Sequence, residues 1–108
     1  GNYLESSATA LFIYTLAKAV NKGYISKDYI EPTRKAFDGM VKTFTRLEED
    51  GSYTITNCCA VAGLGGDSKR YRDGSFEYYI SEPVIENDPK SVGSFILAAI
   101  EYEKMTDK

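Results

Sequence analysis

Two segments of this sequence are predicted helices with no polar side in their central turns. The first spans residues 4–20 and has no charged residue between Ala8 and Ala17. The second begins at Asp88 and has none from Val92 to Ile100. A surface helix shows one apolar stripe, whereas a helix that is apolar all round is enclosed by other elements. A chain of 108 residues has too little volume to enclose two such helices.

The chain is therefore expected either to self-associate through large apolar faces or to form part of a larger fold. Between the two apolar segments, residues 26–47 have the pattern of an ordinary amphipathic helix, with Ser26 as its N-cap. Pro32 lies in the early turns and is expected to kink this helix or to delay its regular start. The order of enclosed, amphipathic and enclosed helices predicts two concentric layers, with inner helices and an outer one.

The region between the second and the last helix is predicted to be a loop with short strands. The turn signal Asp50-Gly51 precedes an alternation of Tyr53, Ile55 and Asn57 that is typical of a strand. Four glycines mark a long loop between residues 63 and 74. Ser75 is a possible cap for a short helix at residues 76–81, although the same residues also fit a strand. The fold class is thus mainly α, with three long helices plus a short strand-containing loop region.

Composition excludes several classes of function. The net charge is −3 and the basic residues are scattered, so we expect no nucleic-acid partner. No apolar run is long enough to cross a membrane, and no signal peptide is recognised, so a membrane partner is not expected. The chain has no histidine, and its two cysteines are adjacent, Cys58 and Cys59. These are expected to be buried, inert thiols, with neither a metal site nor a cofactor. The compartment stays open between cytoplasm and periplasm.

Three stretches carry a resemblance to a known family. They are NYLESSATALFIYTLAKAVNKGYI, CAVAGLGG and YRDGSFEYYISEPVIENDPKSVGSFILAAIEYE. Together they resemble the C-terminal part of unsaturated rhamnogalacturonyl hydrolases, glycoside hydrolases that are often called unsaturated glucuronyl hydrolases. The resemblance implies an (α/α)6 toroid with an inner and an outer ring of helices. Residues 1–108 would then be a single partial domain, the C-terminal quarter to third of that toroid.

The resemblance also implies an activity. Members of this family remove an unsaturated uronic acid from oligosaccharides that polysaccharide lyases leave behind. They hydrate the vinyl ether of the sugar, and a single aspartate donates the proton. That aspartate lies in the first half of the family's domain, which has no counterpart here. We therefore expect no catalytic residue in this chain, no activity of the isolated chain, and either a homo-oligomer or a complex with the missing N-terminal part. The alternative is a stand-alone helical module that self-associates and has a binding or structural role.

Six residues are predicted to contact the unsaturated uronyl oligosaccharide, because inner helices of such toroids point their N-termini at the cleft. They are Glu5, Ser6, Tyr79, Glu82, Asp88 and Lys90. All but Glu5 also have a competing structural interpretation. Asp88 is favoured as the N-cap of the last helix, because Pro89 follows it. Glu82 could pair with Arg70, Arg72 or Lys90, and Ser6 could satisfy nearby backbone groups. Tyr79 could pack against the core.

Overall fold

The computed structural model describes residues 1–67, 69 and 71–106 of the chain. These residues form a mainly helical fold, as predicted. The elements in chain order are α1 (Ser6–Asn21), a short 3-10 helix (Lys27–Tyr29), α2 (Ile30–Phe44), β1 (Thr45–Leu47), β2 (Tyr53–Ile55), β3 (Cys58–Cys59), α3 (Phe76–Ser81), β4 (Val84–Ile85) and α4 (Pro89–Thr106). The three predicted long helices correspond to α1, α2 and α4. The described helices include none that is both long and apolar enough to span a lipid bilayer.

Helix α1 ends in the way that its sequence predicts. Gly23 follows the helix in the left-handed region, with φ of 71°. Its N–H donates to the carbonyl of Val20 at 3.0 Å, and the N–H of Tyr24 donates to the carbonyl of Ala19 at 2.9 Å. This pair of hydrogen bonds is a Schellman motif, which satisfies the last carbonyls of the helix and requires a residue that tolerates positive φ.

Replacing Gly23 by alanine is expected to lower the free energy of unfolding by about 1–2 kcal/mol, because a Cβ in the left-handed region is strained. Gly39 is the matched control, since it lies inside α2 with open space around its Cα. Its replacement by alanine should raise stability by about 0.5–1 kcal/mol through helix propensity. Urea denaturation of both variants tests the expected difference in sign. Two changes of the same sign would contradict the assignment of Gly23 as the cap.

Helix α2 begins as predicted and ends earlier than predicted. The Ser26 hydroxyl accepts a hydrogen bond from the N–H of Asp28, and a 3-10 turn precedes Pro32, so the regular helix is delayed. The prediction that the helix continues to residue 47 is wrong, because residues 45–47 form β1. This strand pairs with β2 in antiparallel fashion, and the N–H of Thr56 donates to the carbonyl of Phe44. Asn57 lies beyond the strand, with φ of 60°.

Helices α1 and α4 lie side by side and run in the same direction. Ser6 contacts Ser91 near the two starts, and Asn21 contacts Glu101 nearer the two ends. Small buried residues on both helices allow this close approach. Helix α2 packs over the pair, and its Met40 and Phe44 join a buried cluster with Ala10, Ile13 and Ala98.

The outer sides of α1 and α4 are exposed, as expected for two apolar helices that a chain of this length cannot enclose by itself. Phe12 is 71% exposed and Ile96 is 55% exposed. Each of these residues lies on the side of its helix opposite the buried stripe. Among the described elements, α2 is the helix that packs over α1 and α4, and it covers one side of this pair. Within this chain, an inner layer of two helices and an outer helix is therefore present, but the inner layer is not closed.

Candidate functional site

The starts of α1 and α4 meet at one end of the molecule, and strand β3 is held across them. The hydroxyls of Ser6 and Ser91 are 2.6 Å apart and buried between the two helices. From α1, the Glu5 carboxylate accepts the N–H of Cys59 at 3.1 Å. From α4, the Lys90 ammonium donates to the carbonyl of Ala60 at 3.0 Å. Two side chains of opposite charge, one from each helix start, thus fix the same piece of chain.

Glu5 is the N-cap of α1. Its carboxylate accepts hydrogen bonds from the N–H of Ser7 at 3.2 Å, from the Ser7 hydroxyl at 2.7 Å and from the N–H of Ala8 at 2.7 Å. Burial by itself would raise the pKa of Glu5, but the hydrogen bonds from Ala8, Ser7 and Cys59 outweigh it, and the pKa is lowered. Glu5 is therefore ionised at neutral pH and has no proton to donate to a substrate.

The lowered pKa of Glu5 predicts a loss of stability in acid. Its ordinary pKa is 4.5, and the folded value is lower. The carboxylate thus stabilises the fold above pH 4.5, and this contribution is lost as the pH falls through the folded-state pKa. Glu5→Gln is expected to cost about 1 kcal/mol at pH 7, as for a lost N-cap, and less at pH 3. Urea midpoints at both pH values measure this.

Glu49→Gln is the matched control for this experiment, because Glu49 is an exposed glutamate in the turn after β1. Its variant should follow the unsubstituted chain at both pH values. A Glu5→Gln deficit that is unchanged between pH 7 and pH 3 would show that the charge of the carboxylate does not contribute.

Asp88 is the N-cap of α4, as the sequence favoured. Its Oδ1 accepts the backbone N–H of Lys90 at 2.8 Å and the Lys90 ammonium at 2.8 Å. The side-chain hydrogen bond from Lys90 is the main reason that the pKa of Asp88 is lowered, and the same contact raises the pKa of Lys90. The two residues form an ion pair at the helix start. Their contact with a substrate stays a prediction.

The β1–β2 hairpin holds the corner that precedes Asp88. Asn87 has φ of 52°, its N–H donates to the carbonyl of Ile55 at 2.8 Å, and its Oδ1 accepts the N–H of Ile55 at 2.9 Å. Next to it, Arg46 donates two hydrogen bonds of 2.9 Å to the Glu86 carboxylate. These contacts position the start of α4 from the side of the hairpin.

Two cavities adjoin the helix starts. One, of about 350 Å³, is lined by Glu5, Ser7, Ala8, Cys59, Ala62, Tyr79 and Lys90. The other, of about 400 Å³, is lined by Ala62, Gly63, Leu64, Gly74, Ser75, Tyr78 and Tyr79. Because they share Ala62 and Tyr79, we treat them as one rim groove with a charged part and an aromatic part. The structure thus brings three of the six predicted residues, Glu5, Tyr79 and Lys90, to the lining of one groove.

Tyr79 is held by stacking on Tyr3. The two rings are 5.7 Å apart and nearly parallel. The Tyr3 hydroxyl is buried close to Tyr79 and Cys59. Its pKa is raised, mainly by burial. Both the Tyr3 ring and helix α3, which Ser75 caps as predicted, therefore fix the orientation of Tyr79 at the groove.

Ser6 and Glu82 do not line the rim groove. Ser6 is fully buried in its contact with Ser91. The Glu82 side chain is also fully buried, and its carboxylate lies 3.4 Å from Nε of Arg72, so one of the predicted partners of Glu82 is present. Arg70, another predicted partner, lies outside the described residues. That either residue contacts a substrate stays a prediction.

The two adjacent cysteines are free and buried, as predicted. Burial is the main reason that the pKa of Cys58 is raised, which disfavours the reactive thiolate. The Cys59 thiol donates to the carbonyl of Val61 at 3.1 Å. Among the described side chains, no three metal-ligating residues converge.

Sequence reasoning missed two features of the site. It began the first helix at residue 4 and gave Glu5 no capping role, whereas α1 begins at Ser6 and the Glu5 carboxylate is its N-cap. It also missed that Cys59 and Ala60 are the groups that Glu5 and Lys90 hold. The cap is local, but glutamate is not among the residue types favoured at the N-cap. The contacts with Cys59 and Ala60 join residues 54 and 30 positions apart, so they have no local sequence signal.

Comparisons with known proteins identify the family of the chain. The family model described as Glycosyl Hydrolase Family 88 matches residues 1–106. Protein Atu3128 of Agrobacterium fabrum and the 24.9 kDa protein in the picA locus of Rhizobium radiobacter are each 39% identical over 105 residues. These matches cover 94% of this chain and 45% of each relative, so the chain spans about half the length of the curated relatives.

A solved structure of a C. acetobutylicum glycoside hydrolase from family 105 is also similar. It is 44% identical, with a TM-score of 0.90, over 94% of this chain and 28% of that chain. The mainly helical fold of the present chain thus matches part of a larger glycoside hydrolase. The family model covers residues 1–106, so the chain belongs to glycosyl hydrolase family 88.

Proposed function

We propose that the chain forms part of the active-site rim of a glycoside hydrolase that removes unsaturated uronic acid from lyase-generated oligosaccharides by hydrating the vinyl ether. The observation that carries this proposal is the rim groove at the adjacent starts of α1 and α4. The family match supports a glycosidase with an oligosaccharide substrate. The specific reaction rests on the resemblance to unsaturated rhamnogalacturonyl hydrolases.

Within the groove, Lys90 and Tyr79 are the proposed contacts with the sugar. An ammonium group has three N–H donors. Lys90 uses two of them, on Asp88 and Ala60, and the third is available to a ligand carboxylate or hydroxyl. Tyr79 offers an aromatic ring whose position is fixed by Tyr3. Rings fixed in this way bury much apolar area, which suits the apolar face of a sugar.

Glu5, Asp88, Ser6 and Glu82 are proposed to shape the groove. The Glu5 carboxylate caps α1 and accepts a hydrogen bond from β3, so it positions the groove wall. The Asp88 carboxylate caps α4 and accepts hydrogen bonds from Lys90, so it orients the ammonium group. Ser6 and Glu82 are buried, and contact with a substrate would require them to move. The proton donor is proposed to lie in the part of the family fold that this chain does not match, so residues 1–108 act as a partial domain and are inactive alone.

The exposed sides of α1 and α4 favour a second candidate. A stand-alone module would cover these sides by self-association and would have a binding or structural role. The two candidates differ in the expected state of the chain, which is a complex with the rest of a toroid in the first and a homo-oligomer in the second.

The proposed activity is tested in a chimera in which this chain replaces the matched part of the C. acetobutylicum enzyme. We expect the chimera to consume an unsaturated uronyl disaccharide, seen as loss of the ultraviolet absorbance of the double bond, and the isolated chain to consume none. Lys90→Met should raise KM about 10-fold, as for a lost charged hydrogen bond, with little change in kcat. Lys35→Met, on the exposed side of α2, is the control.

Two results would contradict the proposal. Turnover by the isolated chain would show that a catalytic group lies within residues 1–108. A folded chimera that cleaves saturated glycosides and leaves the unsaturated disaccharide intact would exclude vinyl-ether hydration.

A further inference from the structure

Three fully buried polar side chains meet behind the charged part of the rim groove. Ser6 belongs to α1, Ser91 to α4 and Cys58 to β3, and each is 0% exposed. The hydroxyls of Ser6 and Ser91 are 2.6 Å apart, and the Cys58 thiol lies within hydrogen-bonding reach of Ser91. Buried polar groups cost free energy unless they are paired, so this cluster specifies how the three elements are placed.

The cluster is connected to the Lys90 ammonium at the groove. The Cys58 thiol also lies within hydrogen-bonding reach of the Asp88 carboxylate, whose side chain is 12% exposed. The ammonium donates to Asp88 at 2.8 Å and to the carbonyl of Ala60 at 3.0 Å. Both of these contacts therefore depend on β3, since Cys58 lies in this strand and Ala60 follows it.

The direction of each hydrogen bond in this set follows from the thiol. Burial raises the pKa of Cys58, so the thiol keeps its proton at neutral pH. Its acceptors in reach are the carbonyl of Cys59, at 3.4 Å, and the Asp88 carboxylate, and the charged acceptor makes the stronger hydrogen bond. Because the thiol proton is used on Asp88, the Ser91 hydroxyl donates to the Cys58 sulfur. The Ser6 hydroxyl in turn donates to Ser91.

Resting on the proposed function, we infer that Ser91 and Cys58 are positioning residues, which hold the Lys90 ammonium at the rim groove through Asp88. Neither residue is among those that line the groove, so both act through the carboxylate and not on a ligand. The Lys90 side chain is 53% exposed, and a long side chain of this kind samples many rotamers unless its contacts fix it. If Asp88 is not held, then binding a sugar also has to order Lys90, which weakens binding.

The position of Lys90 can be measured in the chain itself by NMR of its Cε methylene group. A fixed ammonium makes the two Hε protons inequivalent, whereas free rotation averages their signals. We expect two resolved signals for Lys90 in the unsubstituted chain and one averaged signal in Ser91→Ala and in Cys58→Ala. Cys58→Ser should keep two signals, because a hydroxyl is also a donor. Lys90→Met identifies the signals by their loss.

Thr33→Val is the matched control, because it removes a buried hydroxyl that lies on α2 and outside the groove lining. The Thr33 residue is 0% exposed, and its hydroxyl donates to the carbonyl of Tyr29 at 2.6 Å. Thr33→Val and Ser91→Ala should each lower the thermal unfolding midpoint by about 5 °C, as for one lost hydrogen bond. The Lys90 signals should be averaged in Ser91→Ala and stay resolved in Thr33→Val.

The chimera with the C. acetobutylicum enzyme tests the consequence for the sugar. Ser91→Ala should raise KM for the unsaturated disaccharide about 3-fold with little change in kcat, as for a weakened hydrogen bond. Cys58→Ala should act in the same way, and Cys58→Ser should raise KM less than Cys58→Ala does. Thr33→Val should leave KM and kcat unchanged.

The inference is overturned if the Lys90 signals are already averaged in the unsubstituted chain, or if they stay resolved in both Ser91→Ala and Cys58→Ala. It is also overturned if these two variants change KM and kcat no more than Thr33→Val does. If Ser91→Ala does not fold, Cys58→Ala decides the same question at the next contact of the set. An unsubstituted chimera that leaves the disaccharide intact would contradict the proposed function, whereas the NMR signals would still decide whether Ser91 and Cys58 position Lys90.

Discussion

Ile13→Ala is expected to lower the free energy of unfolding by about 2–5 kcal/mol. The Ile13 side chain is 1% exposed and belongs to the cluster that joins α1, α2 and α4. Its truncation removes buried apolar atoms and leaves a cavity between Met40 and Ala98, two members of that cluster from different helices. Because both helices are held in place by other contacts, the cavity cannot collapse fully. Urea denaturation followed by circular dichroism measures the loss.

The neighbouring residue on the same helix is the matched control. Phe12 is 71% exposed, so Phe12→Ala in the isolated chain should change the free energy of unfolding by no more than about 0.5 kcal/mol. Truncation of the larger side chain, Phe12, is thus expected to cost less stability than truncation of the smaller one, Ile13. Equal losses in the two variants would show that Phe12 is buried in solution, and a dependence of its loss on protein concentration would identify self-association as the reason.

Arg72→Met is expected to cost about 1.5–3 kcal/mol, as for a lost hydrogen bond to a charged group. The Glu82 side chain is fully buried, the Arg72 side chain is 27% exposed, and the two are 3.4 Å apart. The backbone of Arg72 also pairs with Gly65, in the loop that lines the aromatic part of the rim groove. Loss of the Arg72–Glu82 contact is therefore expected to loosen this loop.

An exposed ion pair is the matched control. Arg34→Met removes an exposed pair with Glu31 and should cost no more than about 0.5 kcal/mol. Equal losses in the two arginine variants would show that burial of the Glu82 carboxylate does not strengthen its contact with Arg72.

The starts of α3 and α4 and the end of α1 were predictable, because their signals are local. Asp88 before Pro89, Ser75 before α3 and Gly23 after α1 each place the residue type that the backbone needs at that position. The mainly α class followed from the long apolar and amphipathic segments. These features depend on a few consecutive residues and not on distant partners.

The end of α2 could not be predicted from its own residues. Thr45, Arg46 and Leu47 extend the helical spacing of apolar and polar residues, so the pattern favours three more helical positions. The competing strand β1 is stabilised by pairing with Tyr53–Ile55. Cross-strand pairing across a turn outweighs a weak local preference, and the partner strand is not visible in the helical pattern.

The candidate site was partly predictable for the same reason. The sequence placed Glu5, Tyr79 and Lys90 near helix starts, and these residues do line one groove. It did not predict that the Glu5 carboxylate would be occupied by four hydrogen bonds, because one of them comes from Cys59, far along the chain. A residue's place near a site is set by local structure, whereas its freedom to bind a ligand is set by distant contacts.

The adjacency of α1 and α4 also constrains when the core can form. Ser6 and Ser91 are 85 positions apart, so α1 leaves the ribosome long before its main partner exists. At about 5–20 residues per second, this interval is roughly 4–17 s. Before that, α2 can already cover part of the buried side of α1, through Met40 and Phe44. Contacts of such long sequence separation fold slowly, and the uncharged α1 segment is exposed to aggregation until α4 arrives.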